Sequence, residues 1–209
     1  IASDVGSEYN GLVIQAKRRF TNGFGWNVSY TLAKATDLNQ NSATFTQNNS
    51  PYDVFDRSYD KGPSSNDVRH KFVGSAVFAP NPYKGSSKFA EYLANGWSFA
   101  PIYVYYSGRA YDGTVSGTTL NGSSGDNRFP LNSRTAYRLP ALWNMDLRIS
   151  KRFKTSETTN IELLAEGFNI FNRTQIFAVN NTLYTRSGNT LTYNTSFGQV
   201  TGTDSTLYR

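Results

Sequence analysis

Long stretches of strict two-residue alternation constrain this chain more than any other feature of its sequence. In residues 24–32 the side chains of one parity are apolar, namely Phe24, Trp26, Val28, Tyr30 and Leu32. The other parity holds small or polar residues, and residues 142–153 repeat the pattern. A period of two predicts β-strands with one apolar and one polar face. Alternation alone does not tell whether the apolar face meets a protein core or lipid, because a soluble sandwich shows the same pattern.

Six long strands follow from the alternation and from the turn residues that interrupt it. They are predicted at about 8–20, from Phe24 to about 34, and at about 68–79, 97–107, 142–153 and 159–171. Most are about 11–13 residues long, whereas strands of globular proteins centre on about 5 or 6 and tilted membrane strands need about 9–11. Residues 86–96 predict a short helix, and the tail from 172 predicts one or two further strands, at QIFAV and TLTYN. The strand lengths favour a membrane protein.

The first two strands predict a hairpin whose register follows from their apolar positions. Ile14 is expected opposite Tyr30, and Lys17 opposite Asn27, because a one-residue slip would set apolar against polar side chains at every pair. We expect a three-residue loop, 21–23, with Gly23 in the left-handed conformation. Pro101 weakens the prediction of the strand at 97–107, since proline cannot donate to a ladder.

The connections between the predicted strands alternate in length. They are short at 21–23, long at 36–67, intermediate at 80–96, long at 109–140, short at 154–158 and long again after 172. In an up-and-down barrel every second connection emerges on the same side, so this rhythm predicts short periplasmic turns at one rim and long extracellular loops at the other. The expected fold class is all-β, an antiparallel transmembrane β-barrel segment with its polar parity in the lumen. A soluble β-sandwich or β-helix domain is the alternative.

Composition and charge exclude several other classes. No run approaches the roughly 18 apolar residues of a membrane-spanning helix, and the chain opens without the pattern of a signal peptide. The formal charge of +6 admits an anionic partner. The basic residues sit at strand ends and form no patch interleaved with aromatics, so we expect no nucleic acid partner. Cysteine is absent and His70 is the only histidine, so neither a metal site nor a cofactor is expected.

Charged residues on the polar parity of the last two long strands form a candidate network. Its members are Asp146, Arg148, Glu162 and Glu166. Two carboxylates can serve glycoside hydrolysis, but on the inner wall of a barrel they pair more often with arginine. With the hairpin turn centred near 156, Arg148 is expected to bind Glu162 or Glu166. No nucleophile elbow, phosphate loop or dinucleotide fingerprint is present, so we expect no enzyme.

The loop SPYDVFDRSYD at 50–60 is the candidate ligand-binding segment. It offers Tyr52, Phe55, Arg57 and Tyr59, and Tyr111 belongs to a second long loop. Aromatic faces beside hydrogen-bonding groups suit a sugar or an aromatic chelate at a pore mouth, and the aspartates of the loop suit Ca²⁺. The alternative is a loop clamped by its own aromatic side chains.

Five stretches in order resemble one known family. SEYNGLVIQAKRRFTNGFGWNVSYTLAKATD, DKGPSSNDVRHKFVGSAVFAP, NGWSFAPIYVYYSGRAY, LWNMDLRISKRF and IELLAEGFNIFNRTQI are similar to successive parts of the C-terminal barrel of TonB-dependent outer-membrane receptors. The resemblance is to the branch with a carboxypeptidase-regulatory-like N-terminal domain. It implies a location in the outer membrane and a barrel of about 22 strands with a plugged lumen. It also implies import of a scarce ligand with energy from TonB.

Two departures from the family pattern predict that residues 1–209 are a partial C-terminal barrel. The plug domain that contacts TonB and the last strand with its terminal aromatic residue are not found in the sequence. The expected partners are outer-membrane lipid, TonB through the plug, an unidentified small molecule, and strands of the same barrel or of other copies along the open edges. A β-rich surface adhesin or a structural, assembly-forming surface protein is the alternative function.

Overall fold

The computed structural model describes residues 6–38, 52–53, 55–117, 127–156 and 158–204. Within these residues the chain is all-β, with fourteen strands, one α-helix, α1 (Lys88–Ala94), and a 3-10 turn at Arg57–Asp60. The strands are β1 (Ser7–Thr21), β2 (Phe24–Asp37), β3 (Gly62–Pro63), β4 (His70–Phe78), β5 (Trp97–Tyr106), β6 (Ala110–Tyr111), β7 (Thr114–Ser116), β8 (Tyr137–Arg138), β9 (Leu142–Lys154), β10 (Asn160–Gly167), β11 (Gln175–Val179), β12 (Thr182–Ser187), β13 (Thr190–Tyr193) and β14 (Val200–Asp204).

The six long strands form one antiparallel sheet in the order β1-β2-β4-β5-β9-β10, and β3 adds to the free part of β2. Each long strand therefore pairs with the next long strand along the chain, as an up-and-down topology requires. The short strands form three small sheets, β6-β8, β7-β12-β13 and β11-β14. The β7-β12 pairing is parallel, and every other pairing between the described strands is antiparallel.

The first hairpin has the predicted register with a different turn. Ile14 lies opposite Tyr30 and Lys17 opposite Asn27, so the register prediction is confirmed. The expected three-residue loop is wrong, because Thr21 pairs with Phe24 and the turn has two residues, Asn22 and Gly23, both at positive φ. A β-bulge between Arg18 and Thr21 absorbs the extra residue. The bulge reconciles a tight two-residue turn, which matches the strand twist, with the apolar register further along the strands.

The long sheet has one apolar face and one face on which polar side chains alternate with aliphatic ones. One row across five strands on the apolar face consists of Ile14, Tyr30, Phe72, Tyr105 and Trp143. The adjacent row on the polar face consists of Gln15, Ser29, Val73, Val104 and Asn144. Because side chains alternate strictly along a strand, the pairing of one row fixes the faces of all the others.

The apolar face of the sheet is not a protein core. Leu12 and Ile14 are each 56% exposed, and Leu163 at the opposite edge is 60% exposed. The apolar side chains that are buried among the described residues are Ala33, Ala110, Val115 and Leu183. Within the described part of the chain, no second sheet packs on the row from Leu12 to Leu32, which is what a soluble sandwich would require.

The described sheet is an open wall. Strands β1 and β10 lie at its two edges, and each has one neighbour within the described residues. Every residue of β1 is exposed. An unpaired edge presents free N–H and C=O groups, which hydrocarbon does not tolerate, so a membrane barrel needs a further strand at each edge.

The connections of the wall separate into two rims, as the rhythm of the sequence predicts. The short-connection rim consists of Asn22–Gly23, residues 79–96 with α1, and the described residues of 155–159. The long-connection rim consists of the described residues of 38–69, 107–141 and 168–204. The predicted helix within 86–96 is confirmed as α1.

Two predictions about the elements need correction, whereas the strand predicted at 97–107 is confirmed as β5. The strand predicted at 159–171 ends at Gly167, because a turn follows in which Asn169 and Asn172 adopt positive φ. The tail contains four strands, of which one or two were predicted, and the long loops contain β3, β6, β7 and β8. Pro101 lies inside β5, where the pairs with β4 are interrupted between Phe99 and Ile102, because proline has no N–H to donate.

Candidate functional site

The long loops fold together at the long-connection rim into an ordered assembly. We call the rim cap the described residues of 52–69, 107–117, 127–141 and 175–204. Backbone bonds tie its parts together, since Val115 N–H donates to Asn127 O at 2.8 Å and Thr114 N–H donates to Asn181 O at 2.8 Å. Val115 is fully buried. The second long loop and the tail therefore form one packed unit.

Three aspartate–arginine pairs bind the second long loop, two of them to the first long loop and one to the end of β2. They are Asp37–Arg134, Asp60–Arg128 and Asp67–Arg138. In each pair the aspartate side chain is at most 9% exposed, and Arg128 and Arg134 are almost fully buried. Buried charges persist only when they are paired and hydrogen-bonded. The pairs therefore fix the position of the first loop relative to the second.

Asp67 has the clearest structural role among the three aspartates. Its Oδ1 accepts from the Ala35 N–H at 2.7 Å, and its Oδ2 accepts from Arg138. Arg138 also donates from Nη1 to the carbonyl oxygens of Asp67 at 3.2 Å and Gly108 at 3.1 Å. The N–H and C=O groups of one residue in an antiparallel strand point to the same side. Because the Ala35 carbonyl accepts from the Ser64 N–H, the Ala35 N–H also points away from β1. Asp67 thus supplies a hydrogen-bond acceptor to the part of the β2 edge that lies between its pairings with β4 and β3.

The first long loop contains four of the sequence-predicted ligand residues, and the structure brings two of them into contact. The rings of Tyr52 and Tyr59 lie 5.7 Å apart, and the Arg128 guanidinium lies 5.0 Å from the Tyr52 ring centre. Arg57 contacts Asp60, with Nε 3.4 Å from Oδ2. Tyr52 and Arg57 therefore belong to the framework of the loop, as the self-clamped alternative describes.

Two aromatic side chains of this loop remain open to solvent. Phe55 is 97% exposed and Tyr59 is 53% exposed. Phe55 stands beside the 3-10 turn, whose first residues are held by Asp56, because its carboxylate accepts from Ser58 N–H at 2.9 Å. Exposed aromatic faces on a firmly held loop are suited to bind an apolar or sugar-like surface.

Tyr111 belongs to a second aromatic cluster of the rim cap. Its ring lies 5.6 Å from that of Tyr137 and 6.3 Å from that of Phe197. Burial, and the charge of a neighbouring tyrosinate at Tyr137, raise the pKa of the Tyr111 phenol. This cluster stiffens the cap between the second long loop and the tail.

The acidic residues of the first loop serve the loop itself. The carboxylate of Asp53 accepts from Phe55 N–H at 2.8 Å, and that of Asp60 accepts from Tyr52 N–H at 3.1 Å. Among the described residues, no group of three or more histidine, cysteine or acidic side chains is arranged to hold a metal ion. His70 bonds through Nδ1 to the Tyr30 hydroxyl, at 2.8 Å.

The polar network predicted on the wall lies on the polar face of β9 and β10. Arg148 is directly opposite Glu166, and its Nε donates to Oε1 at 2.7 Å. Arg152 is opposite Glu162, with Nη2 3.4 Å from Oε2. The structure thus selects Glu166 from the two partners that the sequence left open for Arg148.

A recess of about 330 Å³ opens beside this network. Asp146, Arg148 and Glu166 line it together with apolar residues of β5. Asp146 is held in place, because its Oδ1 accepts from Asn144 Nδ2 and Asn169 N–H, both at 2.8 Å. The recess presents a fixed acid and an ion pair beside apolar side chains of the wall.

Sequence reasoning missed the arginines that hold the rim cap together. Arg128, Arg134 and Arg138 lie in a loop without periodicity, 68 to 97 residues from their side-chain partners. Local patterns carry no information on pairs at such separations. The only available signal was the surplus of arginine in the second loop and of aspartate in the first.

The architecture defines the class of protein. An antiparallel wall with an exposed apolar face, a polar face, and alternating short and long connections is that of a transmembrane β-barrel. The family model described as "Outer membrane beta barrel domain" matches residues 1–133 and 127–209, which together span the chain. The chain belongs to this family and is located in the outer membrane. Its apolar face therefore meets lipid, and its short-connection rim is the periplasmic one.

The remaining comparisons add no further relative. Neither the curated proteins nor the solved structures gave a match. The described residues contain no helix with the length and apolar character needed to cross a membrane.

Proposed function

We propose that the chain is part of the barrel of a TonB-dependent receptor that imports a scarce ligand across the outer membrane. The observation that carries the proposal is the rim cap, an ion-paired loop assembly on the extracellular rim of an outer-membrane barrel. Its base is held by buried ion pairs, whereas Phe55 and Tyr59 are exposed to solvent. The resemblance of five ordered stretches to this receptor class supports the same function.

Ligand capture is assigned to the exposed aromatic side chains of the first loop. Phe55 and Tyr59 offer ring faces to a sugar or to an aromatic chelate such as a siderophore, whereas Arg57 is bound to Asp60 and holds the loop. Aromatic side chains provide large contact area at low entropic cost when their backbone is already held. Tyr111 packs against Tyr137 and Phe197 inside the cap.

The contacts of the carboxylates on the wall agree with a transport protein that has no catalytic role. Glu166 and Glu162 are each bound to an arginine, and Asp146 accepts two hydrogen bonds. Carboxylates engaged in this way serve as hydrogen-bond acceptors within the wall. We therefore assign them to the lumen wall of a transporter.

The partners in this proposal follow from the open wall. Further strands of the same barrel pair with the edges β1 and β10, and TonB acts through a plug domain encoded N-terminal to residue 1. These parts would close the barrel and couple it to energy. The intact mass of the native polypeptide tests this directly, because a closed monomeric barrel near 23.3 kDa would contradict it.

The decisive experiment compares deletion of the full gene with deletion of tonB. Under ligand limitation, with iron chelates and oligosaccharides supplied one at a time, both deletions are expected to lose growth on the same compound. Restoring the gene with Phe55→Ala and Tyr59→Ala should leave growth impaired, whereas Leu131→Ala, which alters another exposed apolar residue of the cap, should restore it. Normal growth with loss of surface attachment would favour the adhesin instead.

A further inference from the structure

The short helix α1 lies on the lipid-facing side of the wall. Its last carbonyls are bound by side chains that point outward from the apolar face, since Trp97 Nε1 donates to Leu93 O at 3.0 Å. Lys151 Nζ donates to the same oxygen at 3.4 Å and also to Asn95 O. Trp97 and Lys151 are directly opposite each other in the sheet and share the parity of Phe99 and Ile149. The helix therefore packs outside the barrel wall, at the periplasmic rim.

Lys151 is a charged side chain on the apolar face, and its contacts show how it is accommodated there. It is 6% exposed, and its ammonium lies 4.8 Å from the Trp97 ring centre and 5.4 Å from that of Phe153. A lysine at this depth in a bilayer is costly unless its head group reaches the interface or a set of acceptors. The helix end supplies those acceptors, so α1 and Lys151 depend on each other.

Further contacts hold α1 in place, because seven residues are too few for a stable isolated helix. The Ser87 Oγ accepts from Ala90 N–H at 3.4 Å as the N-cap. The Tyr92 hydroxyl donates to Lys154 O at 2.7 Å. Asn95 bonds to the backbone N–H and C=O of Tyr83, at 3.0 and 2.8 Å. These contacts fix the position of α1 on the rim.

The outer side of α1 is apolar and uncovered. Phe89 is 80% exposed and Leu93 is 68% exposed, and they lie four residues apart on one face of the helix. Exposed lysines flank them at Lys84 and Lys88, while Glu91 is the single acidic residue of the helix. An apolar stripe bordered by lysine is typical of a helix that lies in the interface of an anionic membrane.

We propose that α1 is an interfacial anchor that embeds Phe89 and Leu93 in the periplasmic leaflet, with Lys84 and Lys88 on anionic phospholipid head groups. Continuity with the wall identifies lipid as the occupant, because the outward residues Phe78 and Phe99 lead from the apolar face to the rim on which α1 sits. A plug inside the barrel would meet the opposite, polar face. The anchor fixes the depth of the barrel in the membrane at the point where β4 connects to β5.

Site-specific labelling tests this proposal on the full-length protein. Because residues 1–209 contain no cysteine, Leu93→Cys and Leu131→Cys each place one thiol in this region for an environment-sensitive fluorophore. Leu131 is a matched control, since it is 84% exposed and lies on the opposite rim. Any cysteine elsewhere in the full-length chain is first replaced by serine.

The labelled proteins are reconstituted in vesicles of phosphatidylcholine with and without phosphatidylglycerol. The label at position 93 is expected to show blue-shifted emission, strong quenching by lipids that carry a quencher near the head group, and weak quenching by aqueous acrylamide. The label at 131 should show the reverse. Equal acrylamide quenching at the two positions would overturn the anchor.

The charge of the lipid is tested separately. Adding Lys84→Gln and Lys88→Gln to the labelled Leu93→Cys protein should increase acrylamide quenching in vesicles that contain phosphatidylglycerol and have little effect in pure phosphatidylcholine. Lys61→Gln, which removes an exposed lysine at the opposite rim, should have no effect in either. Identical quenching with and without phosphatidylglycerol would overturn the assignment of the lysines to anionic head groups.

Discussion

Replacement of Asp67 by alanine tests whether the rim cap is held by its ion pairs. The carboxylate is fully buried and accepts from the Ala35 N–H and from Arg138. Substitution removes a charge-assisted bond to the free edge of β2 and one anchor between the two long loops. We expect the cap to open more readily while the strands of the wall stay paired.

The size of the effect depends on which hydrogen bonds the Ala35 N–H and Arg138 keep after the carboxylate is removed. Loss of a hydrogen bond to a charged group costs about 1.5–3 kcal/mol. Arg138 is 35% exposed and keeps the carbonyl oxygens of residue 67 and Gly108, so the full penalty of a stranded buried charge does not arise, and its share is about 0–1 kcal/mol. The free energy of local opening should therefore fall by about 1.5–4 kcal/mol.

Amide hydrogen exchange measures this opening at the affected bond. A loss of about 1.5–4 kcal/mol accelerates exchange of the Ala35 N–H about 10- to 700-fold, since each 1.4 kcal/mol is a factor of ten. The experiment uses the full-length protein in detergent micelles and compares peptides covering residues 30–38 by mass spectrometry. Peptides of β9 should exchange at the parental rate.

Asp56→Ala is the matched control, because it makes the same chemical change at an exposed carboxylate of the same loop. Asp56 accepts only from the N–H and side chain of Ser58 among its described contacts, and these bonds lower the pKa of its carboxyl group. Its removal should leave exchange at Ala35 unchanged. Equal exchange at Ala35 in the two variants would refute the assigned role of Asp67.

Three further predictions concern the turn, the wall and the second aromatic cluster. Gly23→Ala should lower the thermal unfolding midpoint, because φ is +77° there and the new Cβ would meet the Ala79 carbonyl oxygen; an unchanged midpoint would contradict this. Arg148→Leu should lower the free energy of denaturant unfolding by at most about 1 kcal/mol, since the Arg148 and Glu166 side chains are 58% and 35% exposed, and a loss above about 2 kcal/mol would contradict a solvated pair. The Tyr111 phenol should titrate above 10.0, as measured by the tyrosinate absorbance lost in Tyr111→Phe. The folded state then holds this proton longer, so its contribution to stability is present below pH 10 and declines as pH rises through the folded-state pKa.

The wall of this protein was predictable because its rules are local. Strict alternation fixes the face of each side chain, and a slip of one residue is penalised along the whole strand. The register of β1 with β2 and the opposition of Arg148 to Glu166 follow from this period once the turn positions are known. The rhythm of connection lengths assigned the two rims for the same reason.

The turn of the first hairpin shows where local rules end. The register of the apolar side chains requires one residue more than a two-residue turn provides. The sequence does not say whether this extra residue lies in the turn or in a strand. The structure places it in a bulge between Arg18 and Thr21, so that Asn22 and Gly23 form a tight turn. Strand twist decides this, because a two-residue turn of this kind matches it better than a wider loop.

The rim cap was decided by the tertiary structure alone. Asp60 and Arg128 are 68 residues apart, and Asp37 and Arg134 are 97 apart, in segments that no local sequence pattern connects. Parallel pairing of β7 with β12 likewise joins segments that no periodicity connects. The sequence determined by itself a two-faced antiparallel wall with one short and one long rim, since alternation and turn residues act over a few positions. Which loop charges meet, and on which side of the wall α1 lies, depended on contacts that exist only after the strands have brought distant segments together.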